Sequence, residues 1–230
     1  IVNLLAIESD ERITAVIQVR AFRPDRYLFL GTKRGIVKKA PLIEFANIRK
    51  SGLRVVSLDA DDELIGVKFT NGENHIMLGT RCGKAIAFPE DGVRSMGRTA
   101  RGVRGITLAD GDEVVAMDIL KKGSEVLTVT EGGYGKRTSA DEYRPQTRGG
   151  KGLINMKVTE KTGPVVGIRV VHAGQELMLI TTDGLVIRTS VDEISRISRN
   201  TQGVRLMTIA ENDRVASMAT MNMTVDTISE

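Results

Sequence analysis

The chain has 230 residues, of which 41% are hydrophobic and only 3% aromatic, and its formal net charge is +4. All-β domains often reach this length as one unit, so the length does not require two domains. No apolar run approaches the roughly 18 residues that a membrane helix needs, so we expect no membrane partner. The single cysteine, Cys82, excludes an internal disulfide and fits a reducing compartment.

Short segments rich in Val, Ile and Leu follow one another along the chain, separated by turn-forming residues, which is the pattern of β-strands. The first group of predicted strands covers residues 1–7, 13–20, 27–32 and 36–40. Three further groups repeat it, at 53–58, 63–70, 75–80 and 84–88, at 103–108, 113–119, 125–130 and 134–138, and at 153–158, 165–171, 176–181 and 185–189. Two more strands are expected after residue 204, and we expect the residues after about 223 to fray. Because no segment has helical periodicity, the sequence predicts an all-β fold.

Two sequence marks return at a nearly constant spacing. Glycines close four loops at Gly52, Gly102, Gly152 and Gly203, which are 50, 50 and 51 residues apart. A Thr-x-x-Gly turn precedes each of them, and its glycine is expected to have a positive φ in a tight hairpin, at Gly35, Gly83, Gly133 and Gly184. Four strands in about 50 residues are typical of a propeller blade. We therefore predict one repeat domain over residues 1–230, a propeller-like ring of four-stranded blades with units at 1–52, 53–102, 103–152, 153–203 and, in part, 204–230.

Positive charge is concentrated in the loops that contain these glycines, which we call connectors one to four (residues 47–54, 94–105, 144–152 and 196–205). Together they carry 13 Lys or Arg and no Asp or Glu, whereas the rest of the chain has 20 basic and 29 acidic residues. A single charged run is usually a solvated surface, but four acid-free runs in matching positions favour an anion-binding role. The basic residues are Arg49, Lys50 and Arg54, then Arg94, Arg98, Arg101 and Arg104, then Arg144, Arg148 and Lys151, and finally Arg196, Arg199 and Arg205.

Connector three has the clearest anion-binding pattern, with the sequence Gln-Thr-Arg-Gly-Gly-Lys-Gly. Glycines let the backbone approach a ligand closely, successive N–H groups in such a turn form a concave anion site, and an arginine binds a phosphate through two hydrogen bonds. A structural turn with incidental charge is the simpler interpretation of one such loop, and the repetition together with the absence of acids argues against it. The predicted contacts here are Gln146, Arg148, Gly149, Gly150, Lys151 and Gly152.

A second basic position lies four residues after the hairpin glycine. It is occupied by Lys39, Arg137 and Arg188, and by Ala87 in the second group. These residues either extend the same basic edge or are ordinary exposed charges at strand ends, and the sequence does not decide between the two. We include the three basic residues as candidate contacts.

A polymer with regularly spaced phosphates suits regularly spaced basic loops, so nucleic acid is the predicted partner. Single strands are usually held by aromatic stacking, and the chain has three Tyr, five Phe and no Trp. We therefore predict duplex DNA, bound through its backbone with little base specificity. Bending a 20–30 bp duplex by 40–90° costs roughly 1–6 kcal/mol, which several loops around a rim can offset far better than one.

The remaining polar residues suggest no chemistry. His75, His172 and Cys82 stand apart in the sequence, so neither a metal site nor an activated thiol is predicted, and we expect no cofactor and no catalytic residues. Acidic groups at residues 8–11, 61–63 and 110–113 recur, and we interpret them as solvated turns. An apolar residue stands nine positions before each connector glycine and is predicted to be a buried plug, at Ile43, Val93, Tyr143 and Ile194.

The repeats resemble the C-terminal domain of the DNA gyrase A subunit. The signature box of that family reads Gln, Lys or Arg, Arg, Gly, Gly, Lys or Arg, Gly, and connector three matches six of its seven positions, with Thr147 as the departure. The segments 133–138 and 203–207 also fit the family, and the resemblance covers essentially the whole chain. It implies a six-bladed β-pinwheel, in which neighbouring blades exchange strands and duplex DNA wraps around a basic outer edge.

The resemblance also implies a setting. Such a domain supports negative supercoiling in the bacterial cytoplasm, associated with the nucleoid. Its partners are the rest of the gyrase A subunit, plus an ATPase-bearing B subunit, and these hold the catalytic groups. In the family the box lies near the start of the domain, whereas here it is in the third of four connectors.

With about four and a half of six units present, we expect a chain shortened at its N-terminus and an open ring. Two alternatives stay open for the function. One is the equivalent domain of the related topoisomerase IV, and the other is a propeller that binds proteins.

Overall fold

A computed structural model describes residues 13–47 and 52–222 of the chain. Within these residues the regular elements are β-strands and 3-10 turns, without an α-helix, and the all-β prediction is confirmed. The strands are β1 (Tyr27–Thr32), β2 (Ile36–Pro41), β3 (Leu64–Thr70), β4 (His75–Thr80), β5 (Lys84–Pro89), β6 (Val103–Arg104), β7 (Val114–Leu120), β8 (Glu125–Thr130), β9 (Tyr134–Ser139), β10 (Leu153–Ile154), β11 (Val165–Val171), β12 (Gln175–Thr181), β13 (Val186–Ser190), β14 (Val204–Arg205) and β15 (Val215–Asn222). The 3-10 turns follow β2, β5, β9 and β13, at Leu42–Phe45, Glu90–Gly92, Ala140–Glu142 and Val191–Glu193. The predictions for residues 1–7 and beyond 223 lie outside the described residues.

The strands form four antiparallel sheets, each built around one tight hairpin. Their strand orders are β3-β1-β2-β6 in sheet one, β10-β5-β4-β7 in sheet two, β11-β8-β9-β14 in sheet three and β13-β12-β15 in sheet four. The innermost strands β3, β7, β11 and β15 lie next to one another, so the sheets stand side by side as the blades of a propeller do. At the opposite edge of sheets one, two and three, the outermost strand has only two residues.

Each four-stranded sheet takes its strands from three of the predicted units. In sheet one the hairpin β1–β2 is joined by β3, which follows connector one, and by β6, which ends connector two. Sheets two and three repeat this arrangement with β7 and β10, and with β11 and β14. The exchange of strands between neighbouring blades, which the resemblance implied and the spacing of the repeats did not, is therefore present.

The four hairpins are tight turns that close on a glycine with a positive φ, as predicted. The φ angles of Gly35, Gly83, Gly133 and Gly184 are 79°, 83°, 77° and 85°. A close approach adds to this requirement in sheet two, because a Cβ added to Gly83 would lie 2.3 Å from the carbonyl oxygen of Met156. Only glycine fits both the backbone angle and the crossing segment above it.

Two predicted strands are wrong and two are shorter than predicted. The segments 13–20 and 53–58 form no strand. Elsewhere an innermost strand pairs with the hairpin before it, and an outermost strand pairs with the hairpin one unit earlier. Neither segment pairs with a strand among residues 13–47 and 52–222. The predicted strands at 103–108 and 153–158 shorten to β6 and β10, because the chain turns inward at Ile106 and Asn155, whose N–H groups donate to the hairpin glycines.

The hydrophobic core consists of three layers between facing sheets. Phe29 of sheet one and Phe88 of sheet two meet in the first layer with ring centroids 6.5 Å apart. Similar clusters separate sheet two from sheet three, and sheet three from sheet four. Each sheet is therefore stabilised chiefly by its neighbours, as expected when a single unit cannot bury its own apolar faces.

The prediction of buried plugs holds in three units and is wrong in the first. Val93, Tyr143 and Ile194 are buried, but Ile43 is 47% exposed and Phe45 takes the buried place. In the three later units the plug lies ten residues after the hairpin glycine, because both belong to the same sheet. The interval from the hairpin glycine to the connector glycine is 17 residues in the first unit and 19 in the others, so counting back from Gly52 selected the wrong residue.

The acidic turns have a structural role. A carboxylate oxygen of Asp62, a residue that is 8% exposed, accepts the backbone N–H of Arg34 in the hairpin turn beside it, at 2.9 Å. Asp112 and Asp213 do the same for the turns β4–β5 and β12–β13. One carboxylate in each of these turns is thus hydrogen-bonded to backbone rather than free in solvent. The acidic group at residues 8–11 lies outside the described residues.

Candidate nucleic-acid interface

Connectors two, three and four each lie along the outer hairpin strand of the preceding sheet. They begin there with one backbone hydrogen bond: the N–H of Met96, Gln146 and Ile197 donates to the carbonyl of residue 39, 87 and 137, at 2.9, 2.8 and 2.8 Å. They then bulge outward and return as the two-residue strands β6, β10 and β14. Because these strands form the outer edges of the sheets, the connectors line the rim of the molecule.

Neighbouring connectors are joined to one another by backbone hydrogen bonds. The N–H of Gly149 donates to the carbonyl of Gly105 at 2.6 Å, and the N–H of Thr107 donates back to Gly150 at 2.9 Å. In the equivalent place the N–H of Lys157, in the segment that follows connector three, donates to the carbonyl of Thr201 in connector four at 2.9 Å. The rim is therefore a continuous band across sheets one to three, and not a set of separate loops.

Connector three holds its arginine close to the protein and its lysine in solvent. The Arg148 Nε donates to the Gly92 carbonyl at 2.8 Å, and its Nη1 donates to the Arg104 carbonyl at 3.1 Å. Arg148 is half-buried, whereas Lys151 and Arg144 are exposed, and none of the three pairs with a carboxylate in the described part of the chain. This loop presents positive charge without an internal counter-ion.

The turn of connector three requires its glycines. The φ of Gly152 is 71°, and an added Cβ there would lie 2.6 Å from the carbonyl oxygen of Ala85 in β5. The φ of Gly149 is 82°. The side chain of Gln146 turns inward, and its buried Nε2 has no hydrogen-bond partner among the described residues. The signature pattern thus determines both the close contact of the loop with β5 and the charge of the loop.

Two buried lysines support the other connectors, and neither was predicted from the sequence. Lys136 is fully buried, and its Nζ donates to the Ser198 carbonyl at 2.7 Å, to the Arg199 carbonyl, and to the Thr201 hydroxyl at 3.1 Å. Burial lowers the pKa of Lys136 to about 8. Lys38 reaches the carbonyls of residues 55 and 98 in the same way, and burial lowers its pKa too. Both lie three residues after a hairpin glycine, and this repeated position was the available signal.

Acidic residues from outside the connectors reach several of the predicted cations. Arg101 pairs with Asp59, and Arg196 pairs with Glu125 at 3.1 Å. The Nε of Arg199 lies 4.0 Å from Glu142. The connectors are free of acids in sequence, but the fold places carboxylates against some of them. The full charge of connectors two and four is therefore not open to an anion.

The second basic position does not form a uniform edge. Lys39 is 7% exposed, and its Nζ donates to the Glu90 carbonyl at 3.0 Å. Arg137 is half-buried against Glu125, and its guanidinium donates to the carbonyls of residues 192 and 194. Arg188 is exposed but paired with Glu176 at 2.5 Å. The structure does not bring Lys39 and Arg137 into the exposed rim.

Several predicted cations remain on the surface without an ion pair among the described residues. Arg205 is exposed, and its guanidinium donates to the Tyr134 hydroxyl at 3.1 Å, which lowers the pKa of that tyrosine. Arg49 and Lys50 fall outside the described residues. The other unpaired cations, all exposed except the half-buried Arg98 and Arg148, are Arg54, Arg94, Arg98, Arg104, Arg144, Arg148 and Lys151.

The described part of the chain shows no assembly of metal-ligating side chains. Cys82 is exposed, and partial burial together with the neighbouring Asp112 raises the pKa of its thiol, which is the opposite of an activated nucleophile. Among residues 13–47 and 52–222, no helix has the length and apolar character required to cross a membrane.

Comparison with known families finds a match that covers most of the chain. The model of the DNA gyrase C-terminal domain, a β-propeller, matches residues 26–71, 74–121, 124–172 and 175–220. Each matched segment begins close to a hairpin and ends near the end of an innermost strand. The A subunit of DNA gyrase from Salmonella typhimurium (strain LT2) is 47% identical over 226 residues, which is 98% of this chain and 26% of that protein. The chain thus spans about a quarter of the length of the curated relatives it matches.

Two solved structures have the same fold. The C-terminal domain of DNA topoisomerase IV superposes with a TM-score of 0.90 at 27% identity, covering 96% of this chain and 69% of that one. A DNA gyrase A C-terminal domain superposes with a TM-score of 0.83 at 25% identity, covering 94% and 72%. The backbone is thus slightly more similar to the first, while both solved domains share only about a quarter of their residues with this chain, against 47% for the Salmonella gyrase subunit.

Proposed function

The chain belongs to the DNA gyrase C-terminal domain family, and from this premise we propose that it binds and wraps duplex DNA around its rim without reading base sequence. One observation carries the proposal: connectors two to four form a continuous, backbone-joined band on the outer edges of successive sheets. Exposed cations without ion pairs lie along this band, most clearly Arg144 and Lys151. A distributed basic surface suits a duplex backbone, since phosphate contacts position DNA without carrying sequence information.

The charge distribution supports a track for DNA. The connectors contain only basic charges, while the acidic residues of the chain lie in other segments. A duplex is thus attracted to the rim and repelled from the turns on either side of it. Gly149 and Gly152 hold the loop backbone in a tight turn, and the exposed Lys151 beside it is placed to contact a phosphate. The predicted contacts that fit this track best are those of connector three, with Arg94, Arg98, Arg104 and Arg205 beside them.

The rest of the setting is part of the same proposal. The chain acts as a non-catalytic, DNA-wrapping portion of a bacterial type II topoisomerase and supports negative supercoiling. It works in the cytoplasm beside the remainder of the A subunit, with an ATPase-bearing B subunit as the further partner. The similarity to gyrase A subunits supports this setting, because it shows that the chain corresponds to a part of that subunit. The repeat units and the single domain over residues 1–230 also stay predictions.

A second candidate is the equivalent domain of topoisomerase IV, which is favoured by the higher TM-score of that structure. The nearly complete box at connector three and the 47% identity favour gyrase instead. Fusing the chain in place of the corresponding domain of a gyrase A protein separates the two. Restored negative supercoiling supports gyrase, and relaxation or decatenation alone supports topoisomerase IV.

The proposal is tested by the salt dependence of duplex affinity. The slope of log K against log salt is about −0.9 for each phosphate neutralised. We expect the chain to show a slope for several phosphates, and the double variant Arg148→Ala/Lys151→Ala to lose about two of them. The variant Arg34→Ala/Arg214→Ala is the matched control, because it removes the same charge from turns outside the connectors. Circular dichroism verifies folding of both.

Each outcome has a clear meaning. A reduced slope in the first variant alone supports a phosphate track over connector three. Equal losses in both variants point to net charge only and contradict the track. No binding at low salt rejects the DNA proposal and favours a propeller that binds proteins.

A further inference from the structure

Connectors three and four have the same architecture but different anion chemistry. Arg148 and Arg199 occupy equivalent places, since the Nη1 of each donates to the carbonyl of the second residue of β6 or β10, at 3.1 and 2.8 Å. Both guanidinium groups thus lie at the junction between one connector and the tail of the preceding one. The charged residues around the two guanidinium groups differ, because the sheets beneath the two connectors have different side chains.

In connector four, a carboxylate of the chain itself lies where positive groups converge. Glu142 Oε2 accepts the backbone N–H of Arg199 at 3.1 Å and lies 4.0 Å from the Arg199 Nε. The carbonyls of Ser198 and Arg199 point inward to the buried ammonium of Lys136. Because C=O and the following N–H point in opposite directions in a trans peptide, the N–H groups of Arg199 and Asn200 face outward, as the bond to Glu142 shows.

Connector three lacks both charged partners. The residue equivalent to Glu142, nine after the hairpin glycine, is Gly92, and the residue equivalent to Lys136, three after it, is Ile86. The Nε of Arg148 donates to the Gly92 carbonyl, and no carboxylate lies beside it among the described residues. The acid and the lysine are absent together from connector three, as expected because a buried ammonium is stable only near compensating groups. Sheet one has the charged pair again, with Lys38 beneath connector two and Glu44 in the equivalent acidic position.

We propose that the Glu142 carboxylate occupies a phosphate-binding site in connector four, formed by the N–H and guanidinium of Arg199, which we call the seat. In connector three Gly92 stands in place of the acid, and the same seat is open. Glu142 is then a specificity-determining residue: it makes the connectors unequal and directs DNA phosphate to connector three. The role in DNA binding rests on the proposed function, but the occupation of the site by a carboxylate can be tested with any phosphate. A carboxylate and a phosphate oxygen are both anionic acceptors of N–H and guanidinium donors.

The first test removes the internal carboxylate. In Glu142→Ala we expect the log–log salt slope of duplex binding to steepen by about 0.9, the value for one more phosphate. Asp141→Ala is the matched control, because Asp141 is the adjacent exposed acid and its side chain makes no hydrogen bond or ion pair in the described residues. Equal slopes for the two variants would show that only net charge matters and would overturn the proposal.

The converse test closes the open seat. A Cβ added to Gly92 meets nothing within 4 Å, and its φ is not in the left-handed region, so a side chain fits there. We expect Gly92→Glu to reduce the slope by about 0.9 and Gly92→Gln to leave it unchanged, which separates charge from bulk. An equal effect of both substitutions would contradict the proposal.

A measurement without DNA separates this inference from the proposed function. Inorganic phosphate is titrated into the isotope-labelled chain, and amide NMR shifts are followed. We expect the Arg199 amide to respond in Glu142→Ala and not in the native chain. If it responds while duplex DNA fails to bind, the seat stands and the DNA proposal falls. If DNA binds but the Arg199 amide is unmoved by phosphate in the variant, DNA binding stands and the seat is refuted.

Discussion

At the scale of single residues, position in the sheet decides what a basic side chain does. Lys38 and Lys39 are neighbours in β2, yet both are buried: the first lies beneath connector two and the second bonds to Glu90. Alternation along a strand predicts that one of them faces solvent. It fails here because the connector covers the outer edge of the sheet, and the sequence of the strand carries no sign of that cover. The basic residues of the connectors were predictable as a set, but their internal ion pairs were not, since the partner acids lie far away in sequence.

Lys136 gives a prediction about pH. Its pKa falls from the ordinary lysine value of 10.5 to about 8 in the folded chain, because burial disfavours the ammonium. Between these pH values the unfolded chain holds a proton that the folded chain has lost. Unfolding then takes up a proton, so this residue makes the free energy of unfolding rise with pH, by at most about 1.4 kcal/mol per pH unit.

The measurement is urea unfolding of the native chain and of Lys136→Met between pH 7.5 and 10.5. We expect the free energy of unfolding of the native chain to rise relative to that of the variant as the pH rises. The variant also leaves two carbonyls without a donor, which lowers its stability at every pH. Other titrating groups cancel in this difference. Curves that stay parallel across the range would contradict the lowered pKa.

At the scale of elements, strands within a hairpin were predictable and strands outside it were less so. The prediction for β1, β4 and β8, each the first strand of a hairpin, matches the structure residue for residue. Hairpin partners are close in sequence and leave a local pattern of alternation and turn residues. The outermost strands pair with a hairpin one unit earlier, so their length depends on a distant edge and not on their own composition. This is why 103–108 and 153–158 shortened to two residues each.

The glycines of connector three predict an order of stability losses. Gly149→Ala places alanine at a φ of 82° with the nearest atom 3.7 Å away, so only backbone strain arises, about 1 kcal/mol. Gly152→Ala adds a contact of 2.6 Å with the Ala85 carbonyl, and we expect a loss of about 3 kcal/mol or more. Chemical denaturation measures both. A smaller loss for Gly152→Ala than for Gly149→Ala would show that the loop does not press on β5.

Sheet four predicts a difference in amide exchange. The N–H of Arg137 in β9 donates to the Ser195 carbonyl at 2.9 Å, because connector four covers that edge. Arg188 holds the equivalent place in β13, at an edge to which no strand of the described residues pairs. We expect its amide to exchange with solvent at least about 100-fold faster, since no ladder must open first. Hydrogen–deuterium exchange followed by NMR decides, and equal protection of the two amides would mean that the edge is covered.

At the scale of the whole molecule, the fold separates stability from binding. The core lies in layers between sheets, the recurring acids bind hairpin turns, and the basic loops are left at the outer edge. The repeat and the basic loops were evident in the sequence because they recur at a fixed spacing. Which loops retain free charge depends on the sheet beneath, and that requires the exchanged strands to be known.

The continuous rim predicts that affinity depends on duplex length. We expect binding to strengthen from about 10 bp until the duplex spans connectors two to four, and the two ends of a longer duplex to approach each other on binding. Fluorescence energy transfer between labelled ends measures the bend. Arg148→Ala/Lys151→Ala interrupts the middle of the track and should reduce both effects. Affinity independent of length, with unbent DNA, would contradict wrapping.

The exchange of strands also orders events during protein synthesis. The edge of β2 is completed by β6, whose residues 103–104 are translated more than 60 residues after residues 36–37. At roughly 5–20 residues per second, the ribosome needs several seconds to supply them. Throughout that interval the nascent chain carries an unpaired strand edge, the kind that invites aggregation. Sheets two and three repeat the delay with β10 and β14, so the pace of translation through one unit governs how long the preceding unit stays open.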